Sequence, residues 1–242
     1  MSFWSSRPAP PVGPVTRAWI EGRFRWLLAE FGEVRALRPV VLPTPEFFPE
    51  PYGGTAVHVR RLFPRVAAYM GIDPARVSLG FHDEASSGGR SAQFVAGPRS
   101  GVPGWFEPGD PPRIFLRASG LGDALAVVGT LAHELGHVHL LAGGRVRCDA
   151  EDHEPLTDLL TVTFGLGVFR ARCLADEASP RRMGRGGLAV AAAGYLTAPM
   201  FGYAFALHAR LRGEGEDAPW ARFLLPPVRT AFARGLRLLG RS

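Results

Sequence analysis

Two histidines four residues apart, with a glutamate directly after the first, constrain this chain more than any other feature. His133 and His137 stand in the segment LAHELGHV, whose other residues are largely compatible with a helix. Residues four apart lie on one helical face, so both imidazoles can reach one metal ion, and Glu134 can accept a proton from water beside it. Buried histidines without partners cost free energy. The pattern therefore predicts a metal site rather than a pair of ordinary polar residues.

A second motif offers the third ligand that a catalytic metal needs beside an open position for water. Glu154 follows His137 by 17 residues and opens the next predicted helix, where Pro155 suits the first turn. Asp158 falls one turn later on the same face, so its carboxylate can accept a hydrogen bond from the outward nitrogen of His133. We predict His133, His137 and Glu154 as metal ligands and Asp158 as their hydrogen-bonded support.

Nearby side chains leave alternatives open. Glu154 and Asp158 would also suit a helix N-terminus as an acidic pair without any metal. A loop before this helix holds the competing third ligands Asp149, Glu151, Asp152 and His153. Cys148 could supply a thiolate but is expected to be an ordinary cysteine. His139 is two residues from His137 and points to another side of the helix, so it is not expected to be a ligand.

HExxH followed by ExxxD on a later helix resembles the gluzincin branch of zinc metallopeptidases. The match covers residues 133–158, and the wider run EPLTDLLTVTFGLGVF is similar to an uncharacterised bacterial zincin-like family. This resemblance implies a zincin-like fold, in which the motif helix lies beside a sheet whose edge strand aligns an extended peptide. It also implies Zn²⁺ as the metal and a tyrosine or histidine that stabilises the oxyanion. The candidates are Tyr195, Tyr203 and His208, of which we favour Tyr203 and His208.

The predicted activity is zinc-dependent hydrolysis of peptide or amide bonds, with Glu134 as the general base. Leu140 and Gly143 stand where the metzincin branch would have glycine and histidine, which excludes that branch. An alternative is a non-proteolytic zincin-fold binding or regulatory protein, although a structural site would have no need of Glu134. A membrane-associated protease is a further alternative. His58, His82 and also His208 can be interpreted as structural histidines.

Composition narrows the partners and the compartment. The chain has a formal charge of +6, but all 28 basic residues are scattered arginines, a pattern typical of coding bias rather than of nucleic-acid binding. Two cysteines, Cys148 and Cys173, do not form a disulfide framework, and the first residues do not resemble a secretory signal. We expect a cytoplasmic protein whose partner is a peptide or protein substrate.

Residue patterns predict an α+β fold with a small antiparallel or mixed sheet followed by a mostly helical C-terminal half. A flexible tail of residues 1–14 precedes a single domain, 15–242, with a helix and sheet part (15–118) and a helical part carrying the metal site (119–242). Predicted helices span 15–32, 55–70, 121–142, 154–174, 188–195, 197–211 and 226–239. Extended segments are predicted at 38–42, 77–81, 92–96, 104–107 and 113–117.

One uncharged stretch, Leu188 to Leu207, is long enough to span a membrane. It contains two glycines, and Thr197 can begin a new helix with Pro199 in its first turn. We therefore expect two buried helices that meet near Thr197 rather than a membrane span.

Overall fold

The computed structural model describes residues 9–82, 104–174, 181–183, 189–191 and 195–240. Mostly helical content beside a small mixed sheet confirms the predicted α+β class. The helices are α1 (Pro14–Phe31), α2 (Glu33–Ala36), α3 (Ala56–Met70), α4 (Ala124–His137), α5 (His153–Thr163), α6 (Gly167–Arg170), α7 (Ala198–Leu211) and α8 (Pro226–Leu239). The strands are β1 (Ser78–His82), β2 (Gly104–Glu107), β3 (Arg113–Arg117), β4 (Arg181–Met183) and β5 (Ala189–Ala191).

The main sheet has three strands in the order β1-β3-β2. Strand β3 pairs in parallel with β1, where Ser78 faces Arg113, and antiparallel with β2, where Gly104 faces Leu116. Alternate residues of β3 are buried, as expected for a strand with one face on the core. Strands β2 and β3 have the predicted bounds, and β1 begins one residue later than predicted. The sheet is mixed because β3 runs parallel to β1 and antiparallel to β2.

Helix α4 is the central element of the core. Asp123 caps it by accepting hydrogen bonds from the amides of Leu125 and Ala126. The helix contacts α3, α5, α6 and both strands β2 and β3, so nearly all of its second half is buried. A π-helical turn, Val138–Ala142, continues it. Together these 19 residues are long and apolar enough to cross a membrane. Most of them are buried inside the protein, however, as in a core helix.

Helices α7 and α8 form the most extensive helix pair. Gly202 lies so close to α8 that an added Cβ would stand 2.4 Å from the Ala231 Cβ. On the other helix, a Cβ at Gly235 would lie 2.7 Å from the Ala206 Cβ. Small residues on both surfaces therefore let the two backbones approach closely. The predicted helix 226–239 is confirmed, and α7 begins one residue after Thr197.

Two helix predictions are wrong in part. The predicted helix 154–174 is interrupted because Gly165 has a φ of 81° and its carbonyl accepts a hydrogen bond from the Val41 amide. Within the predicted helix 188–195, Ala189–Ala191 instead forms a strand that pairs antiparallel with Arg181–Met183, while residues 188 and 192–194 lie outside the described residues. Its apolar pattern does not reveal that a partner strand exists.

Three other predicted segments have different outcomes. Residues 38–42 lie near Gly165 but form no strand. The predicted extended segment 92–96 lies outside the described residues, as do residues 1–8 of the predicted tail.

A continuous cluster of buried apolar side chains runs from Val12 to Phe232 and holds both parts of the chain together.

Candidate metal centre

Helices α4 and α5 bring together the three predicted metal ligands. The Nε2 atom of His133 lies 2.9 Å from Glu154 Oε2, and the Nε2 atom of His137 lies 3.5 Å from the same oxygen. One ligand atom from each of the three residues lies within 4.8 Å of the other two. The two histidines are 2% and 5% exposed, respectively. The cluster is thus nearly enclosed, with Glu154 on its more open side.

A glycine inside the HExxH segment allows this approach of the two helices. A Cβ added at Gly136 would lie 2.7 Å from the Cγ2 atom of Thr157 on α5, which is closer than real Cβ contacts. The same Thr157 lies against His137, so the close approach occurs at the ligands themselves. We infer that Gly136 sets the separation of α4 and α5 at the cluster, a role that the motif spacing did not reveal.

The outward nitrogens of both histidines have hydrogen-bond acceptors. His133 Nδ1 lies 2.8 Å from Asp158 Oδ1. Thr157 donates its hydroxyl proton to the carbonyl of His153 at 2.7 Å, so its oxygen can accept from His137 Nδ1 at 3.3 Å. With each Nδ1 as a donor, a neutral ring presents an Nε2 lone pair to the Glu154 carboxylate. Two lone pairs and an anion that face each other need a cation or a proton between them.

Protonation behaviour reflects this convergence of charges. Burial opposes a charge on the His133 ring, but the hydrogen bonds to Asp158 and Glu154 raise its pKa to about 9. Burial also opposes the Glu154 carboxylate, yet the histidines around it hold its pKa well below the ordinary value. Burial lowers the pKa of His137, against the effect of Glu154. Near pH 7 the ring of His133 therefore carries a proton beside the Glu154 carboxylate, and a metal ion would have to displace this proton, because a ligating histidine is neutral.

Asp158 is fully buried and has three hydrogen-bond partners beside the cluster. Besides His133 it contacts Arg170, whose Nε lies 2.5 Å from Oδ1, and the amide of Leu196, which donates to Oδ2 at 2.9 Å. Burial would raise the pKa of Asp158, but the Arg170 charge and the His133 hydrogen bond lower it. The position predicted for Asp158 from its spacing agrees with these contacts. Leu196 and Arg170 come from elements that spacing alone did not connect to the site.

Sequence reasoning missed Arg170, since no arginine was singled out. Its side chain is buried, and its guanidinium lies 4.6 Å from the centre of the Tyr195 ring. The signal that could have found it is an arginine inside the apolar run GLGVFRA, because a buried cation needs an anionic partner. Here that partner is Asp158.

Glu134, the predicted base, is 4% exposed. Burial raises its pKa to about 7, and the negative charge of Glu154 acts in the same direction, whereas the charge of His133 opposes the shift. A carboxyl with a pKa near neutrality can both accept and return a proton near pH 7. This property suits the predicted role.

The three candidates for the oxyanion role lie in different places. The Tyr195 ring packs edge-on against the His133 ring, with centroids 5.3 Å apart. Tyr203 donates its hydroxyl proton to Glu21 on α1 at 2.5 Å. His208 donates from Nε2 to the carbonyl of Ala36 at 2.8 Å. The structure thus brings Tyr195 to the cluster and pairs the two favoured candidates, Tyr203 and His208, with other residues.

Most competing ligands also have other partners. Asp152 accepts from Trp19 and Arg23 on α1, and Asp149 accepts two hydrogen bonds from Arg147. Cys148 is an exposed free thiol. His139 lies with its Nε2 atom 2.8 Å from the carbonyl of Met70.

His153 is the exception among these neighbours. Its Nδ1 donates to the carbonyl of Ala150 at 2.7 Å, while its Nε2 lies 3.4 Å from Glu154 Oε1. It therefore borders the cluster on the side of Glu154.

Comparison with known proteins adds no relative. The chain matches no family model, no curated protein and no solved structure. The resemblance to gluzincins therefore rests on the motif residues 133–158, and the cluster that they form shows only that a metal ion could be held there.

Proposed function

We propose that this protein is a zinc-dependent hydrolase of peptide or amide bonds. The observation that carries the proposal is the convergence of His133 Nε2, His137 Nε2 and a Glu154 carboxylate oxygen, with both Nδ1 atoms already hydrogen-bonded. Two imidazoles and one carboxylate are a donor set used by catalytic zinc sites, which leave a fourth position open. The hydrogen bonds to Asp158 and Thr157 favour the tautomer that such ligands need.

The proposed mechanism assigns the proton transfers to Glu134. His133, His137 and Glu154 would hold a zinc ion, which would supply Lewis-acid polarisation of the scissile carbonyl and a lowered pKa of bound water. The Glu134 carboxylate, with a pKa of about 7, accepts a proton from that water and returns it to the leaving amine.

For the oxyanion role we propose Tyr195 in place of Tyr203 and His208. Its ring contacts His133 and lies under the Arg170 guanidinium, which restrains the ring beside the cluster. Burial raises the pKa of its hydroxyl, and so does the charge of Glu154, so the hydroxyl stays protonated and can donate a hydrogen bond.

Elemental analysis of purified protein tests the metal site. We expect about one zinc per chain in the wild type after reconstitution and a strong loss in Glu154→Ala. Asp149→Ala is the matched control, because it removes an acidic side chain from the preceding loop, where Asp149 contacts Arg147. This control should retain zinc.

Two outcomes would change the proposal. Absence of zinc from the reconstituted wild type would remove the metal site altogether. One zinc per chain without hydrolysis of any peptide in a broad library would instead favour the non-proteolytic binding or regulatory protein.

A further inference from the structure

A cavity of about 410 Å³ lies beside the first turns of α4, whereas the metal ligands on this helix come from its last turns. Its apolar lining comes from the proline-rich segment 43–52 and from three helices. Representative residues are Pro43, Pro51, Leu62, Leu125, Val128 and Phe169. None of the residues that line it belongs to the metal cluster. The volume falls within the range of small-molecule pockets.

Aromatic packing holds the proline-rich segment 43–52, which forms one wall of the cavity, in place. Phe48 packs edge-on against Phe169 and also against Tyr69, with centroids 5.5 Å and 5.9 Å apart. Tyr69 donates its hydroxyl proton to the carbonyl of Phe47, and Tyr52 donates to the carbonyl of Leu121, three residues before α4. Segment 43–52 thus contacts α3, α6 and the turn that precedes α4. A ligand would enter a cavity whose walls already exist, which lowers the entropic cost of binding.

Charge is unevenly distributed around this cavity. Glu50 is neutralised by Arg65, whose Nη2 lies 2.9 Å from Glu50 Oε1. Arg61, one turn before Arg65 on α3, also lines the cavity and is exposed. Within the part of the chain that the structure describes, no carboxylate forms an ion pair with Arg61. An apolar cavity beside an arginine that has no carboxylate partner among the described residues complements a ligand with an apolar body and one negative charge.

We propose that this cavity binds an aliphatic carboxylate, with the alkyl group among the prolines, leucines and Phe169 and the carboxylate at Arg61. A volume of about 410 Å³ is in the range of pockets that hold small ligands, so we expect an acid of about eight to twelve carbons. Burial of the alkyl chain supplies most of the affinity. The arginine selects the acid over uncharged molecules of the same length.

Isothermal titration calorimetry with octanoate, and with 1-octanol as the uncharged comparator, tests this inference. We expect one octanoate per chain with a dissociation constant of about 10 to 100 µM. Arg61→Gln should weaken octanoate about fivefold, since an exposed ion pair contributes little, and should leave 1-octanol unchanged. Arg234→Gln is the matched control on the exposed surface of α8. Leu62→Trp fills the cavity and should weaken both ligands more than tenfold.

Several results would overturn the inference. Absence of octanoate binding to the wild type at millimolar concentration is one, and equal effects of Arg61→Gln on acid and alcohol is another. If Leu62→Trp does not fold, as judged by circular dichroism, the exposed Arg61→Gln substitution decides the question alone. Zinc content plays no part in this test, so its outcome is independent of the proposed hydrolase activity.

Discussion

The α4/α5 cluster and the α7/α8 helix pair both contain buried histidines, but the partners of these histidines differ. His133 and His137 in the cluster and His208 in the helix pair are all at most 5% exposed. In the cluster, both rings have one nitrogen hydrogen-bonded outward and the other directed at a shared carboxylate. In the helix pair, His208 Nε2 bonds to the backbone carbonyl of Ala36. Burial therefore does not distinguish a ligand histidine from a structural one, whereas the arrangement of partners around both nitrogens does.

The two regions also treat charge differently. Asp158 and Arg170 form a buried ion pair behind the cluster, where a change to either partner leaves a charge unpaired. Helices α7 and α8 meet mainly through apolar and small residues, with Gly202 and Gly235 at the points of closest approach. We therefore expect substitutions at the cluster to affect chemistry and metal affinity, and substitutions in the helix pair to affect stability alone.

The largest expected effect is that of Glu134→Gln. The substitution should lower kcat by up to about 10⁴-fold, because it removes the group that accepts the proton from water. Zinc content should remain at the wild-type level, since Glu134 is not a ligand. The measurements are hydrolysis of a quenched fluorescent peptide library and elemental analysis of the same sample. Full activity in this variant would remove Glu134 from its proposed role.

Asp158→Ala should have the next largest effect. It should weaken zinc about 10 to 100-fold, because His133 loses its acceptor. It should also destabilise the fold by about 3 to 5 kcal/mol, because Arg170 is left buried without its carboxylate. Chelator competition and urea unfolding measure the two effects.

The double variant Asp158→Leu with Arg170→Met separates these two effects of Asp158. It removes both charges, so stability should recover while zinc binding stays weak. Wild-type zinc affinity in the double variant would mean that Asp158 does not support His133.

Tyr195→Phe should lower kcat about 10²-fold without changing zinc content, because one hydrogen-bond donor to the developing oxyanion is lost. Tyr203→Phe is the matched comparison in the helix pair. It should leave kcat unchanged and cost about 1 kcal/mol of stability through the lost bond to Glu21. A larger loss of kcat in Tyr203→Phe than in Tyr195→Phe would reverse the assignment.

The smallest expected effect concerns the acid stability of the helix pair. Burial lowers the pKa of His208 from 6.5 to about 4, with the charge of Arg212 acting in the same direction. Between these pH values the unfolded chain binds more protons than the folded protein, so stability falls as the pH falls. Protonation of His208 in the unfolded chain should therefore lower the free energy of unfolding by about 2 kcal/mol between pH 7 and pH 5.

Urea unfolding of wild type and His208→Gln at both pH values measures this contribution. The variant should lose about 2 kcal/mol less than the wild type over that interval. Equal losses in the two proteins would mean that His208 does not carry the acid dependence.

Local patterns were sufficient for several features of this protein. The strands 104–107 and 113–117 and the helix 226–239 follow from alternation or helical periodicity, which neighbouring residues determine. Spacing also placed His133 with His137 on one helical face and Glu154 with Asp158 on another, because a helix places residues four apart on one face. The packing of α4 against α5 then brings the two pairs together. The start of α7 could also be anticipated from Thr197 and Pro199.

The remaining features depend on contacts between residues far apart in the chain, and only the tertiary structure decided them. Gly165 ends a helix because of its left-handed backbone conformation and its contact with segment 39–41, and residues 189–191 form a strand because a partner lies beside them. Arg170 and Tyr195 reach the cluster, while Tyr203 bonds to Glu21. Periodicity describes which face of an element is apolar, but it does not contain the identity of the partner across that face.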